Sequence, residues 1–244
     1  DSEESKKFVQ QLYIRGKEVR EQYPGWLMRV YHNVTIEDNE SIRRLCRVYC
    51  NLPHVDLCDV KDLPHIGNLL EAQPVGRMWR FAVMGDPTVE IFLSRDVDSV
   101  ILDREVAAVK EWLASGSEFH VMRDHPNHMA VMLAGLWGGH NNRRPELAKV
   151  RDSMFAEPLN LTRKFDQFQL ASKLWPIIKN VSLQHDSYTC LVPSHEGSIP
   201  FPVRRFDGLY TGWGPFKFRE RQKVFKTLCP AECRPKEQPR WTYC

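Results

Sequence analysis

Apolar residues recur along the chain with two different spacings, and each spacing predicts a different kind of element. Helical spacing is clearest over 104–115, where Val106, Val109 and Trp112 share one face and Gly116 marks the end. Short continuous apolar runs predict buried strands instead. The predicted helices cover residues 2–22, 41–50, 75–84, 104–115, 144–156 and 166–179. The predicted strands cover residues 26–31, 55–60, 89–93, 119–122, 129–133 and 181–184.

This alternation of strands and helices predicts an α/β fold with a mainly parallel central sheet flanked by helices in a single domain. Residues 1–25 form a predicted N-terminal helix, and 26–190 form the core. After residue 191 the pattern gives way to Pro, Gly, aromatic and basic residues. We therefore expect residues 191–244 to be a loop-rich extension of the same domain, tied down by disulfides.

Charge and hydropathy exclude several classes of partner. The 34 Lys and Arg against 31 Asp and Glu leave a net charge of +3 on 244 residues, too weak to indicate a nucleic-acid partner. Since no apolar stretch approaches the roughly 18 residues of a membrane span, we expect no membrane contact within this segment. The chain begins with Asp, so we expect a cleaved leader or an omitted N-terminal anchor.

The cysteines and glycosylation sequons indicate the compartment. The seven Cys include no C-x-x-C pair, which makes a structural zinc site a poor fit. Four N-x-[S/T] sequons accompany them, beginning at Asn33, Asn39, Asn160 and Asn180. Together these features predict the lumen of the secretory pathway or secretion. The odd cysteine count predicts one free or intermolecular thiol, while the pairing stays open.

The sharpest candidate for chemistry is Ser94-Arg95-Asp96-Val97-Asp98-Ser99, directly after the apolar run at 89–93. Open α/β folds bind ligands at the carboxyl ends of their strands. Two carboxylates at that position suit a hard divalent cation, with phosphate and water completing its shell. The alternative is that Asp96 and Asp98 are ordinary turn or capping residues.

Two later acidic positions complete a pattern. Asp166-Gln167 opens a predicted helix, and His185-Asp186 follows the predicted strand at 181–184. The order of these motifs over about 26–190 resembles the metal-dependent, D-x-D glycosyltransferases of the GT-A (Rossmann-like) fold. The W-G-x-E-D-D signature of the galactosyltransferase type is missing, because Trp213-Gly214 is followed by Pro-Phe. The specificity family therefore stays open.

The resemblance implies an enzyme that transfers a sugar from a nucleotide-diphosphate sugar to a glycan or glycoprotein acceptor, with the Golgi as the expected location. It implies a metal site of Asp98, His185 and Asp96, in which Asp96 contacts ribose or coordinates through water. An imidazole ligand favours Mn²⁺ over Mg²⁺. His185 is otherwise an ordinary surface or core histidine.

The resemblance implies that Asp166 faces the acceptor. It would act as general base in an inverting reaction or position the sugar in a retaining one. Helix N-capping is the alternative for Asp166. Gln167 would hydrogen-bond sugar hydroxyls, or else be solvated.

Arginines and glycines supply further candidates for the donor. Arg77 and Arg80 share one helix face, and they and Arg95 are candidate phosphate or ribose contacts. Ion pairing with Glu71 or Asp86 is the alternative.

Gly138 and Gly139, beside Trp137, would let a sugar approach the backbone, unless they form a tight turn. The segment 204–226 is either a lid over the diphosphate or a surface loop.

Two other functions stay open at this level. The ligand-rich run 123–128 keeps a metal-dependent hydrolase under consideration, although a polar loop explains it as well. A non-catalytic secreted binding protein on a GT-A-like fold would carry the same cysteines and sequons.

Overall fold

The strands and helices are taken from a computed structural model that describes residues 3–35, 39–215 and 218–244. The strands are β1 (Met28–His32), β2 (Val55–Asp59), β3 (Ile91–Arg95), β4 (Phe119–Arg123), β5 (Leu136–His140) and β6 (Ser182–Asp186). The helices are α1 (Glu3–Gln22), α2 (Asn39–Tyr49), α3 (Leu69–Ala72), α4 (Gly76–Trp79), α5 (Asp103–Ser115), α6 (Leu147–Phe155), α7 (Phe165–Gln169), α8 (Trp175–Ile178) and α9 (Phe218–Lys226). A π-helical turn, Leu170–Leu174, joins α7 to α8. Short 3₁₀ turns cover Arg80–Val83, Asn141–Arg143, Lys179–Val181, Pro193–His195 and Ala231–Cys233.

The chain divides into two units. The first comprises Asp1–Thr88 and Glu146–Arg163, and the second comprises Val89–Pro145 and Lys164–Cys244. The division proposed from the sequence, at residues 25 and 190, stays a prediction.

In the first unit, β1 and β2 form a two-stranded parallel sheet. Its apolar face packs around Leu52 and Val55, with Leu12 of α1 against them. Its other face carries Arg29, which is ion-paired with Asp56 at 2.9 Å. The sheet therefore shows the alternation of apolar and polar faces that a period of two residues produces.

The second unit contains a four-stranded sheet in the order β3-β5-β4-β6. Strand β5 is antiparallel to both β3 and β4, while β4 and β6 are parallel. The α/β class is confirmed, but the prediction of a mainly parallel sheet is wrong because this sheet is mixed. A reversed β5 between β3 and β4 makes β3, β4 and β6 run in one direction, so that all three end at the same edge.

The strand β5 lies in a glycine-rich run that the sequence did not identify as a strand, whereas 129–133 is irregular. A Cβ on Gly138 would lie 2.6 Å from the Phe92 carbonyl oxygen and 3.3 Å from the Trp112 ring. A Cβ on Gly139 would lie 2.6 Å from the Phe119 ring. Close packing on both faces thus requires glycine here, and glycine hides the strand from a pattern-based prediction.

Other element predictions were confirmed with adjusted bounds. The helix predicted over 75–84 is α4 followed by the 3₁₀ turn Arg80–Val83, and the one over 166–179 is interrupted by the π turn. Helix α9 lies where no helix was predicted. Gly116 adopts φ 77° directly after α5, the left-handed conformation expected at a helix end.

Three disulfides join six of the cysteines: Cys46–Cys50, Cys190–Cys233 and Cys229–Cys244. They indicate an oxidising, secreted or lumenal environment. The unpaired thiol that the odd count predicted is Cys58, which is half-buried on β2. Burial and the nearby Asp56 carboxylate raise its pKa to about 11, so this thiol stays protonated at neutral pH. Across the described ranges, no helix has both the length and the apolar character to span a membrane.

Replacing Gly138 by alanine tests the packing of β5. The new methyl group would force the backbone of β3 or the Trp112 ring to move, at an expected cost of about 1–3 kcal/mol in the free energy of unfolding. Urea unfolding measures this loss. Gly76→Ala is the matched control, because the nearest atom to a Cβ there lies 3.7 Å away. Equal stability of the two variants would contradict the packing account.

Candidate functional site

Three polar residues follow the three co-directional strands of the second unit. Asp96 follows β3, Asp124 follows β4 and Ser187 follows β6. We call the edge at which these strands end the carboxyl edge. Ligands of open α/β sheets bind outside such an edge, so this is where a site is expected.

The Asp96 carboxylate lies close to Gly135, in the connection that leads into β5. Asp96 is half-buried, and a Cβ on Gly135 would lie 2.7 Å from its carboxyl carbon and from Oδ1. Gly135 continues the antiparallel register in which Arg95 pairs with Leu136. Gly135 therefore leaves the space that the Asp96 carboxylate occupies, a role that no sequence motif signalled.

The loop after β3 is fixed at several points. The Arg95 guanidinium pairs with Glu105 of α5 and donates from Nη2 to the carbonyl oxygens of Ser99 and Val100, at 3.3 and 3.2 Å. The Val100 amide donates to the Trp213 carbonyl oxygen at 2.8 Å. The structure thus gives Arg95 an ion pair on α5, the alternative raised for the arginines, and gives the loop a defined shape.

The segment Tyr210–Gly214 lies against this loop. Ser99 donates its hydroxyl to the Gly212 carbonyl oxygen at 3.1 Å. The backbone of Gly214 approaches that of Asp98 so closely that a Cβ there would collide with the Asp98 carbonyl oxygen. Part of the segment 204–226 therefore borders the loop after β3 at Asp98 and Ser99.

Asp124 is fully buried and accepts hydrogen bonds at both carboxylate oxygens. Its donors are Arg104 at 3.0 Å on each oxygen, Arg205 at 2.6 Å, the Ser187 hydroxyl at 2.6 Å and the Thr211 amide at 2.9 Å. Burial alone would raise the pKa of Asp124, but the two guanidinium groups hold it far below its usual range. Asp124 is therefore a permanent anion that joins α5, β4, β6 and Thr211.

Other residues of 123–128 also make hydrogen bonds within the protein. Arg123 donates to Asp186 at 2.6 Å and to Gln184 at 2.7 Å. His125 and His128 accept main-chain N–H groups at Nδ1, from Asn127 and from Asp124 respectively. These contacts stabilise a polar loop, which is the alternative to a hydrolase centre that the sequence analysis gave for 123–128.

His185 is buried and lies between the buried His120 and the exposed Glu111. Its Nε2 is 3.1 Å from Glu111 Oε2, and its Nδ1 is 2.8 Å from His120 Nε2. Since an ionised carboxylate only accepts, His185 donates from Nε2 to Glu111 and accepts at Nδ1 from His120. Burial lowers the pKa of both rings, so both are neutral at pH 7. Both ring nitrogens of His185 are thus in use.

The sheet also separates His185 from the two aspartates. His185 pairs with Met122 in register, and Arg95 is paired with Leu136, so two strands lie between β3 and β6. Three strand spacings correspond to about 14 Å. His185 meets Glu111 of α5, and Arg95 reaches Glu105 of the same helix, so both lie on the face that α5 covers. The alternation of side chains would turn the next residue, Asp96, towards the opposite face. This arrangement does not bring His185 to a shared cation with Asp96 and Asp98.

Asp166 is the second residue of α7 and is buried, with Oδ1 accepting from the Gln167 amide at 2.9 Å. Lys164, and not Asp166, occupies the N-cap position. Gln167 is half-buried. Both residues belong to the second unit, together with Asp96 and Asp98.

The remaining candidates have defined structural contacts. Arg77 and Arg80 lie in the first unit, where Arg77 donates to the Leu161 carbonyl oxygen at 2.8 Å. Gly138 and Gly139 lie within β5 and not in a tight turn, and both are buried against core rings. A contact of these four residues with a donor stays a prediction.

Asp96 and Asp98 are the residues that would hold a divalent cation at the carboxyl edge. Among the described residues, no group of three or more His, Cys, Asp or Glu side chains is placed to hold a metal ion. Asp96 and Asp98 supply the hard oxygen donors that Mg²⁺ and Mn²⁺ accept, and Gly135 gives the Asp96 carboxylate its place at the sheet edge. In their donor chemistry the two residues suit a cation whose remaining ligands would come from substrate phosphates and water.

Comparison with known proteins found no match to a family model, to a curated protein or to a solved structure.

The neutral state of His120 and His185 predicts a dependence of stability on pH. Their pKa values are lower in the folded chain than in the unfolded chain, so the unfolded chain binds more protons below about pH 6.5. The free energy of unfolding should therefore fall as the pH is lowered from 7.5 to 5.0.

Urea titrations across this pH range measure the slope. His185→Gln should flatten it, whereas His65→Asn, at an exposed histidine, should leave it unchanged. An identical slope in the parent protein and in the His185 variant would contradict the buried neutral pair.

Proposed function

We propose that the chain is a metal-dependent glycosyltransferase that takes a nucleotide-diphosphate sugar as donor and a glycan or glycoprotein as acceptor. The observation that carries the proposal is the arrangement at the carboxyl edge. Two half-buried aspartates follow β3 at the edge where β4 and β6 also end, with the Asp96 carboxylate packed against Gly135. The mixed order β3-β5-β4-β6, with only β5 reversed, agrees with a ligand site outside that edge.

Asp96 and Asp98 would hold the cation through oxygen. When bound, a divalent cation neutralises the charge that develops on the departing diphosphate. The loop that carries the two aspartates is fixed by Arg95, Ser99 and Val100, so its backbone does not need to be ordered when the donor binds. Such pre-organisation is what electrostatic catalysis requires of its charged groups.

Asp166 is the proposed acceptor-side carboxylate. It is buried and lies in the same unit as the two aspartates. A carboxylate in this role takes a proton from the acceptor hydroxyl as the new glycosidic bond forms, or holds that hydroxyl in place. Gln167 beside it is a candidate for hydrogen bonds to sugar hydroxyls.

The proposal includes a place in the secretory pathway. The three disulfides support an oxidising compartment, and nucleotide-sugar transfer to glycans in the Golgi lumen would be consistent with it. The arrangement of Asp124 favours this function over a two-metal hydrolase, because both oxygens of that carboxylate are already bound by arginines and hydroxyl groups.

Asp98→Asn tests the assignment. Loss of the charge should reduce turnover of UDP- or GDP-sugars with Mn²⁺ by at least about a hundredfold, because the departing diphosphate would be less well neutralised. The measurement is release of nucleoside diphosphate from a panel of donor sugars. The control is Asp103→Asn, which removes an exposed carboxylate five residues away at the start of α5.

Both variants should unfold at the same urea concentration as the parent protein. Undiminished turnover in the Asp98 variant would overturn the assignment of Asp98. No turnover by the parent protein of any donor would favour the non-catalytic binding protein instead.

A further inference from the structure

The loop between α6 and α7 exposes two large apolar side chains that lie two residues apart in sequence. Leu159 is 60% exposed and Leu161 is 74% exposed. Single exposed leucines are common on protein surfaces, whereas neighbouring ones can add up to an apolar patch that a covering group would shield from water. The residue between them is Asn160, the first residue of the sequon Asn160-Leu161-Thr162.

This sequon differs from the other three in its exposure. All three of its residues are exposed and lie outside helices and strands. By contrast, Val34, Ser41 and Val181, which lie in the sequons that begin at Asn33, Asn39 and Asn180, are each half-buried. Within the part of the chain that the structure describes, the Asn160 sequon is therefore the one with room for a glycan around every residue.

The loop also has a fixed place in the first unit. Arg77 donates to the Leu161 carbonyl oxygen at 2.8 Å, and the Thr162 amide donates to Asn160 Oδ1 at 2.9 Å. The backbone on the C-terminal side of Asn160 is thus held by contacts that leave the leucine side chains in solvent. A group attached at Asn160 would stay beside them.

We propose that Asn160 carries an N-linked glycan, and that this glycan covers Leu159 and Leu161. The proposal is independent of the catalytic function proposed above. The compartment that forms the three disulfides also contains the machinery that glycosylates sequons. In the transfer, the Asn160 amide nitrogen loses a proton and bonds to the anomeric carbon of a lipid-diphosphate-linked oligosaccharide, whose bond to the diphosphate breaks.

The test uses the full chain, secreted from eukaryotic cells behind a signal peptide. Peptide-N-glycosidase treatment in ¹⁸O-water, followed by mass spectrometry, converts a glycosylated Asn160 into Asp with one heavy oxygen. The parent protein and Thr162→Ser, which preserves the sequon, should both give this labelled peptide. Thr162→Ala should lose it completely.

Size-exclusion chromatography tests the covering of the leucines. The Thr162→Ala protein should contain a larger aggregated fraction than the Thr162→Ser protein. Adding Leu159→Ser and Leu161→Ser to Thr162→Ala should restore the monomer. An unlabelled Asn160 in the secreted, disulfide-bonded parent protein would overturn the glycan, and an unchanged aggregated fraction in Thr162→Ala would overturn the covering of the leucines.

Discussion

The buried carboxylate of Asp124 is the interaction on which the candidate site depends. Two arginines from distant parts of the sequence, Arg104 and Arg205, donate to it, and Thr211 donates both its amide and its hydroxyl. Breaking a buried ion pair by removing one partner typically costs about 3–5 kcal/mol, because the remaining charges stay buried without compensation. Asp124 therefore fixes Thr211, and with it the segment Tyr210–Gly214, beside the loop that carries Asp96 and Asp98.

The two faces of the sheet carry different kinds of polar group near this edge. On one face the Asp96 carboxylate lies against Gly135, and Asp96 is half-buried. On the other face His185 is buried between His120 and Glu111 and is neutral. A neutral, doubly hydrogen-bonded imidazole stabilises the packing of α5 on the sheet.

The sequence predicted the local features of this arrangement better than the long-range ones. Helix α5, strand β3 and the position of the two aspartates directly after β3 followed from apolar spacing and the Gly116 stop. Strand β5 and its reversed direction could not be predicted. Gly138 and Gly139 are required by the close packing of the Trp112 and Phe119 rings, and glycines do not show the apolar pattern by which a strand is recognised. The face on which His185 lies depends on strand register, which a single sequence does not define.

The central claim is that the carboxyl edge at Asp96 and Asp98 binds a divalent cation together with a diphosphate. Titration calorimetry of the parent protein with UDP and with GDP, each with and without Mn²⁺, tests it most directly. The account predicts heat of binding for at least one nucleotide in the presence of Mn²⁺, and a much weaker signal for that nucleotide without the metal. Absence of heat for both nucleotides with Mn²⁺, or binding of equal strength without it, would contradict the claim.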